Sequence, residues 1–220
     1  MKKNIAIITG GDSSEVVISL KSAGQVRQHI DTDKYEAYLV YIREDDWHVK
    51  TGRDDEVEIP VDKNNFSFNL QGRELRFDYA FIAMHGPPGE DGKLQAYFDL
   101  LHIPYSSSGV LSLALTFNKY ACKNILSQAG IRSADAFLIK RSMKWGAGTI
   151  IKKTGLPCFI KPNSGGSSFG VSKISQAGDL AAAVNKALEE DSEVLVESFI
   201  PGREFTCGAL KLSGREFTFP

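Results

Sequence analysis

The opening of the chain restricts its fold more than any other feature. An almost unbroken apolar run, residues 4–9, stops at Gly10-Gly11 and leads into residues 14–30, whose length and composition allow a helix although its apolar face is imperfect. A strand without polar alternation is covered on both faces, and strand, glycine turn and helix in succession begin an α/β unit. Residues 36–42 and 79–84 repeat the near-continuous apolar character and read as further strands. Residues 45–77 between them carry many charges and short alternating runs, which predicts a peripheral hairpin insertion. Leu94, Tyr97, Phe98 and Leu101 recur at three and four, an amphipathic helix over residues 92–102. These elements make a first α/β lobe, residues 1–107.

Residues 108–192 read as a second lobe. Cys122, Ile125, Leu126 and Ala129 mark one helix, Leu180, Ala183, Val184, Ala187 and Leu188 another, and strands at 136–140 and 158–161 lie between them. Residues 193–220 open a third stretch: a strand at 193–199, a turn at Pro201-Gly202, a strand at 205–212, a turn at Ser213-Gly214 and a strand at 216–219. An antiparallel start without closing partners reads as an unfinished subdomain.

Composition narrows the partners. With 42% hydrophobic and 24% charged residues the chain is an ordinary globular one. The 26 Lys and Arg against 27 Asp and Glu leave a formal charge of −1, so no global field attracts nucleic acid or an anionic membrane. Any bound anion must meet a local site. The first apolar run is too short for a signal peptide, and no segment reaches the roughly 18 apolar residues of a membrane span. Cys122, Cys158 and Cys207 are odd in number and each beside apolar neighbours, which predicts reduced core thiols and a cytoplasmic protein.

Four clusters could carry chemistry. In residues 161–170, Lys-Pro-Asn-Ser-Gly-Gly-Ser-Ser-Phe-Gly, a strand end meets small residues whose amides can wrap a polyphosphate, with Lys161 in reach and Ser167 and Ser168 as donors. A flexible hairpin tip with an incidental lysine is the alternative, and Gly-Lys-Ser/Thr of a P-loop is absent. Residues 85–92, His-Gly-Pro-Pro-Gly-Glu-Asp-Gly, follow a buried strand, the end where α/β sheets bind ligands. They offer His85, Glu90 and Asp91, or else only turn and helix-cap chemistry. In residues 9–15, Thr-Gly-Gly-Asp-Ser-Ser-Glu, helix amides suit an anion, while Glu15 either grips an ammonium group or serves its helix dipole. Glu197 and Glu204 flank Ser198-Phe199-Ile200, where a strand leaving its sheet could present free backbone groups to an adenine edge and an acid to ribose; two surface acids are the alternative.

Together, Gly10-Gly11-x-Ser-x-Glu15, His85-Gly-x-x-Gly-Glu-Asp-Gly92, Ser108-Gly109, Lys119, the loop 161–170 and residues 197–206 resemble the D-alanine–D-alanine ligase family, in matching order over the whole chain. The resemblance implies a Rossmann-like, pre-ATP-grasp N-terminal lobe (1–107), an ATP-grasp central subdomain with the phosphate loop (108–192) and the truncated start of its C-terminal subdomain (193–220). It implies ATP-dependent joining of two D-alanines through an acyl phosphate, for peptidoglycan precursor synthesis, with Mg²⁺ or Mn²⁺ and as a homodimer. Glu15 would hold the ammonium of the first D-alanine, His85 and Glu90 would lie by that substrate, and Ser167 would link Glu15 to a mobile loop. Lys119 and Lys161 would neutralise ATP phosphates under the amides of Gly165, Gly166, Ser167 and Ser168. Glu197, Ser198, Phe199 and Ile200 would meet adenine, and Glu204 ribose.

The departures also carry expectations. The family's metal ligands and its transition-state arginine correspond to nothing in these residues, so residues 1–220 alone are expected not to turn over. Gly165 stands where many members carry an acid. A D-alanine–D-lactate or D-alanine–D-serine ligase, or a nucleotide-binding module without catalysis, fits the same residues.

Overall fold

The protein is described from a computed structural model, which covers residues 2–51, 56–212 and 214–219. The opening run forms β1 (Lys3–Gly10), followed by α1 (Val16–His29) and β2 (Tyr35–Arg43). Strands β3 (Asp46–Thr51), β4 (Val57–Asp62), β5 (Ser67–Leu70), β6 (Arg73–Arg76) and β7 (Tyr79–Ile82) complete a seven-stranded sheet in the order β6-β5-β4-β3-β2-β1-β7. β1 is parallel to both β2 and β7, whereas β2 to β6 run antiparallel. Residues 45–77 are therefore no peripheral hairpin but a continuation of the main sheet. Their alternating runs fit a strand with one covered face, which hides the continuity of the sheet from the pattern alone.

Period-two alternation assigns the β1 side chains to two cores. Ala6 and Ile8 pack with Val40, Ile42, Phe66, Phe68 and Phe77 beneath α2 (Lys93–Leu100), whose Leu94 and Phe98 close that layer. Ile5 and Ile7 face the other way, against Ala23 of α1. Full burial of such a side chain contributes about 1.5–3 kcal/mol. The weak amphipathicity of residues 14–30 has a visible counterpart: Val17 and Leu20 of α1 are exposed, while Ser19 and Ala23 are its buried residues.

Helices α3 (Val110–Phe117) and α4 (Lys119–Gln128) meet at Asn118, whose side chain caps α4 by accepting the Ala121 amide. Next come β8 (Ala136–Lys140), α5 (Ala147–Thr154), β9 (Cys158–Pro162), β10 (Ser172–Ile174), a 3-10 turn (Ala177–Asp179), α6 (Leu180–Glu190) and β11 (Glu193–Ser198). The four strands form an antiparallel sheet in the order β10-β9-β11-β8. Glu193 thus does not open a third stretch: β11 lies between β9 and β8. A sequence pattern marks where a strand is, but only pairing shows which sheet holds it.

Alternation again separates two faces. Cys158, Ile160, Val194 and Val196 join Ile150, Leu180, Val184 and Ala187 in a buried core. Phe159, Lys161, Leu195 and Glu197 point to the opposite face. Leu195 pairs with Lys161 and Glu197 with Phe159, so Lys161 and Glu197 are diagonal neighbours.

The expected strand at 205–212 shortens to β12 (Gly208–Leu212), which pairs with β13 (Arg215–Phe219). The turn expected at Ser213-Gly214 involves residue 213, outside the described residues. The cysteines are free, but only Cys158 is a core thiol; Cys122 is half-buried and Cys207 exposed, the latter because β12 and its approach pack against no core. Among the described residues no helix is long and apolar enough to cross a membrane.

Candidate active site

The segment after β1 is tied on both sides by backbone bonds, Gly11 N–H to the Ile42 carbonyl of β2 (2.8 Å) and Asp12 N–H to the Pro87 carbonyl in the segment after β7 (2.9 Å). Gly10 is needed there: its φ is +99°, and an added Cβ would lie 2.3 Å from the Ile42 oxygen. Glu15 emerges just beyond, 3% exposed, at the N-cap of α1. Its carboxylate does not cap its own helix. Instead Ser167 Oγ donates to Glu15 Oε1 at 2.5 Å. Two glycines make room for the carboxylate: a Cβ on Gly86 would come within 3.0 Å of Oε2, and one on Gly166 within 3.0 Å of Oε1.

The segment 85–92 folds back on α1. The His85 backbone N–H donates to Ser19 Oγ (2.9 Å), and Ser22 Oγ lies 3.0 Å from its Nε2. Glu90 Oε2 accepts the Gly86 N–H at 2.8 Å, closing the turn. Asp91 accepts from the Lys93 amide (3.2 Å), while Gly92 is the N-cap of α2. His85 and Glu90 therefore shape the wall behind Glu15.

Two cavities meet at the glycine loop. The larger, about 580 Å³, is lined by Lys119, Lys123, Phe159, Lys161, residues 165–169, residues 197–200 and Glu204. The smaller, about 290 Å³, contains Glu15 with Asp12, Pro87, Ser164 and residues 189–191, and shares Pro162, Gly165, Gly166 and Phe169 with the first. Lys119, Lys161 and the glycine loop thus share one cleft, Glu15 occupies the adjoining one, and His85 lines neither. The loop is their common partition. Gly165 sits at φ +122°, a left-handed conformation that disfavours any side chain there, and Ser167 and Ser168 adopt φ +47° and +60°.

The base of the loop is held by its own Asn163, by Lys119, and by Glu193 and Asp191, which lie outside the motifs. Asn163, fully buried, accepts the Tyr120 amide (2.9 Å) and donates to Glu193 Oε2 (2.8 Å). Asp191 Oδ2 accepts the Ser164 amide at 2.7 Å. Lys119 Nζ donates to the carbonyls of Pro162 (3.1 Å) and Gly165 (2.8 Å). Burial, and then the neighbouring Lys161 ammonium, hold Lys119 below the ordinary lysine value. Such a charge gains from an incoming anion.

Glu197 is bound by two ammonium groups, Lys161 at Oε2 and Lys123 at Oε1. Burial raises its pKa, but the hydrogen bonds from Lys123 and Lys161 outweigh it and hold the carboxyl below the usual carboxylate range. An isolated lysine in a helix carries no motif signal, and only its position on the cleft wall beside Glu197 reveals Lys123. The amides of Ser198 and Phe199 are not free for a base edge, since they donate to the carbonyls of Asp135 (2.9 Å) and Pro157 (3.2 Å). These bonds reach the residues just before β8 and β9, so residues 198–200 meet the cleft as its wall. Phe159 and Phe199, 6.0 Å apart, supply its aromatic surface.

Comparison with known proteins accounts for this arrangement. The D-ala D-ala ligase N-terminus family matches residues 4–108 and the D-ala D-ala ligase C-terminus family residues 125–218. The chain is 48% identical over all 220 residues to the D-alanine–D-alanine ligase of Phocaeicola vulgatus, covering 67% of it, and 47% identical to that of Parabacteroides distasonis, covering 66%. It spans about two thirds of the length of these curated relatives. Among solved structures it is similar to the D-alanyl-alanine synthetase A of Vibrio cholerae (TM-score 0.86, 26% identity, 99% of this chain and 65% of that one). It is also similar to the VanG D-Ala:D-Ser ligase of Enterococcus faecalis (TM-score 0.83, 33% identity, 99% and 68%). A Bacillus anthracis D-alanine–D-alanine ligase solved in complex with ATP matches with TM-score 0.71 and 29% identity over 97% of this chain and 64% of that one.

The fold is a Rossmann-like lobe followed by part of an ATP-grasp domain. The chain belongs to the D-alanine–D-alanine ligase family.

Proposed function

We propose that these residues supply the amino-acid lobe and the phosphate-binding wall of an ATP-dependent D-alanine–D-alanine ligase, acting in the cytoplasm as a homodimer to make peptidoglycan precursor. The observation that carries this reading is the buried Glu15 carboxylate, joined by Ser167 to the glycine loop that also walls the lysine-lined cleft. An acid for a substrate ammonium and bases for a polyphosphate then lie on either side of one partition.

The residues fit the nucleotide. Lys119 and Lys161 compensate its phosphate charge, and the amides at 165–168 close over it. Phe159 and residues 197–200 offer the base an enclosing wall, and Glu204, which lines the same cleft, offers the ribose an acceptor. In the reaction, the carboxylate of the first D-alanine attacks the γ-phosphorus and the bond to ADP breaks, leaving an acyl phosphate. The amine of the second D-alanine attacks the acyl carbon, phosphate departs and the amine gives up a proton. Such chemistry depends mainly on positioning and on dispersing negative charge, which these side chains provide without a covalent nucleophile. Glu15, aided by Ser167, orients the first amino acid, while His85 and Glu90 fix the turn behind it.

Mg²⁺ or Mn²⁺ is a different matter. Among the described residues no three His, Cys, Asp or Glu side chains are grouped so as to hold a metal ion, so these residues do not themselves make a metal site.

Identity of 48% to a D-alanine–D-alanine ligase against 33% to a D-Ala:D-Ser ligase favours D-alanine as the second acceptor. Calorimetric titration with ATP analogue and D-alanine, separately and together, tests the binding reading. Product analysis of the complete enzyme with D-alanine alone, or with D-serine or D-lactate added, separates the acceptors. Absence of both ATP-analogue and D-alanine binding would overturn the proposal.

A further inference from the structure

The cleft face of β9 and β11 holds one carboxylate between two ammonium groups. Glu197 takes Lys161 on Oε2 and Lys123 on Oε1. The two lysines differ in their other anchorage. Lys123 also donates to the Ala134 carbonyl at 2.6 Å and is 15% exposed, whereas Lys161 is 24% exposed on the cleft floor beside the glycine loop. Lys123 springs from α4 and is fixed at both sides; Lys161 springs from the strand end that delivers it to the phosphate loop.

A polyphosphate that engages Lys161 competes with Glu197 for it. A part-buried carboxylate stripped of its only counter-charge would oppose that transfer, because leaving one partner of such a pair uncompensated is costly. A second lysine removes the opposition.

We propose that Lys123 is a positioning residue: by keeping Glu197 charge-compensated against the Ala134 carbonyl, it releases Lys161 to the nucleotide phosphates. The proposal rests on the nucleotide reading above and deepens it. It predicts an effect confined to phosphate-bearing ligands, and one that removal of the carboxylate reverses, since Lys161 then has no competing partner.

The test is calorimetric titration of the full chain with ADP and with adenosine. Lys123→Met is expected to weaken ADP binding about tenfold and to leave adenosine within about twofold. Lys123→Arg should hold ADP within about threefold of the parent. Adding Glu197→Gln to Lys123→Met should recover most of the lost ADP affinity. Equal weakening of ADP and adenosine by Lys123→Met, with no recovery in the double variant, would make Lys123 a structural anchor only and overturn the proposal; so would unchanged ADP binding. If Lys123→Met does not fold, the double variant and Lys123→Arg decide, and poor ADP binding beside normal adenosine binding in the double variant overturns it. A parent chain that binds neither ligand would overturn the nucleotide reading itself, and the proposal with it.

Discussion

Ser167 Oγ donates to the carboxylate of Glu15 at 2.5 Å across a sequence separation of 152 residues. This contact joins the loop after β9 to the start of α1, and it sets the glycine-rich loop and the buried acid back to back. Charge-assisted hydrogen bonds of this kind are among the stronger polar contacts, and their value lies in geometry as much as energy.

Glu15→Gln should raise the KM for the first D-alanine while leaving nucleotide affinity within about threefold, and Ser167→Ala should affect both ligands. A double-mutant cycle should give a coupling of about 1–3 kcal/mol in D-alanine binding, measured by calorimetry. Strict additivity would mean that the hydroxyl and the carboxylate do not act together.

Lys161→Ala should weaken nucleotide binding about 10- to 100-fold with little change in D-alanine binding. Lys123 remains to hold Glu197, so thermal stability should change little. Titration of the variant with both ligands checks this, and equal small effects on the two would misplace the phosphate end of the cleft.

Gly10→Ala should destabilise the protein by about 2 kcal/mol or more, because its Cβ would strike the Ile42 carbonyl oxygen, a backbone atom with no room to move. Gly130→Ala shares a positive φ, +76°, but has nothing within 4 Å, so strain alone should cost about 1 kcal/mol. Urea denaturation of the two variants gives the comparison. A larger loss at Gly130 would contradict the packing around the β1 turn.

Two groups make stability rise with pH at opposite ends of the range, because both are held below their ordinary values. Glu197 is held below 4.5 by Lys123 and Lys161, so the stability it confers is full above 4.5 and is lost as pH falls through its lower folded value. Glu197→Gln should flatten that part of the acid limb of the denaturation profile.

Lys119 is depressed below 10.5 by burial and by Lys161, so its charge carries a cost at neutral pH that is relieved as pH rises through the folded value. A bound polyphosphate restores a counter-charge and raises that value again. Nucleotide binding at alkaline pH should therefore take up protons, seen as a dependence of the calorimetric heat on buffer ionisation, and Lys119→Met should abolish it. Proton release in the parent would reverse the sign of this account.

Local chemistry made much of the molecule legible. The run before Gly10-Gly11 predicted a doubly covered strand, and Ile5 and Ile7 on one face with Ala6 and Ile8 on the other bear that out. The small residues of 161–170 predicted a close-approach loop, and the positive φ values at 165, 167 and 168 show a backbone shaped for one. Helix α3, α5 and strand β10 escaped notice, since each spans only 3 to 8 residues and too few periods accumulate to stand out.

What the order of residues determined by itself was the identity of the strands, the glycine turns and the acids and lysines that carry charge, because period and residue type act over a few neighbours. Tertiary structure alone decided that residues 45–77 extend the first sheet, that β11 inserts between β9 and β8, and that Lys123 stands against Glu197. Those outcomes depend on pairing between segments far apart in the chain, where hydrogen-bond satisfaction and burial are settled jointly and no local pattern records which partner is chosen.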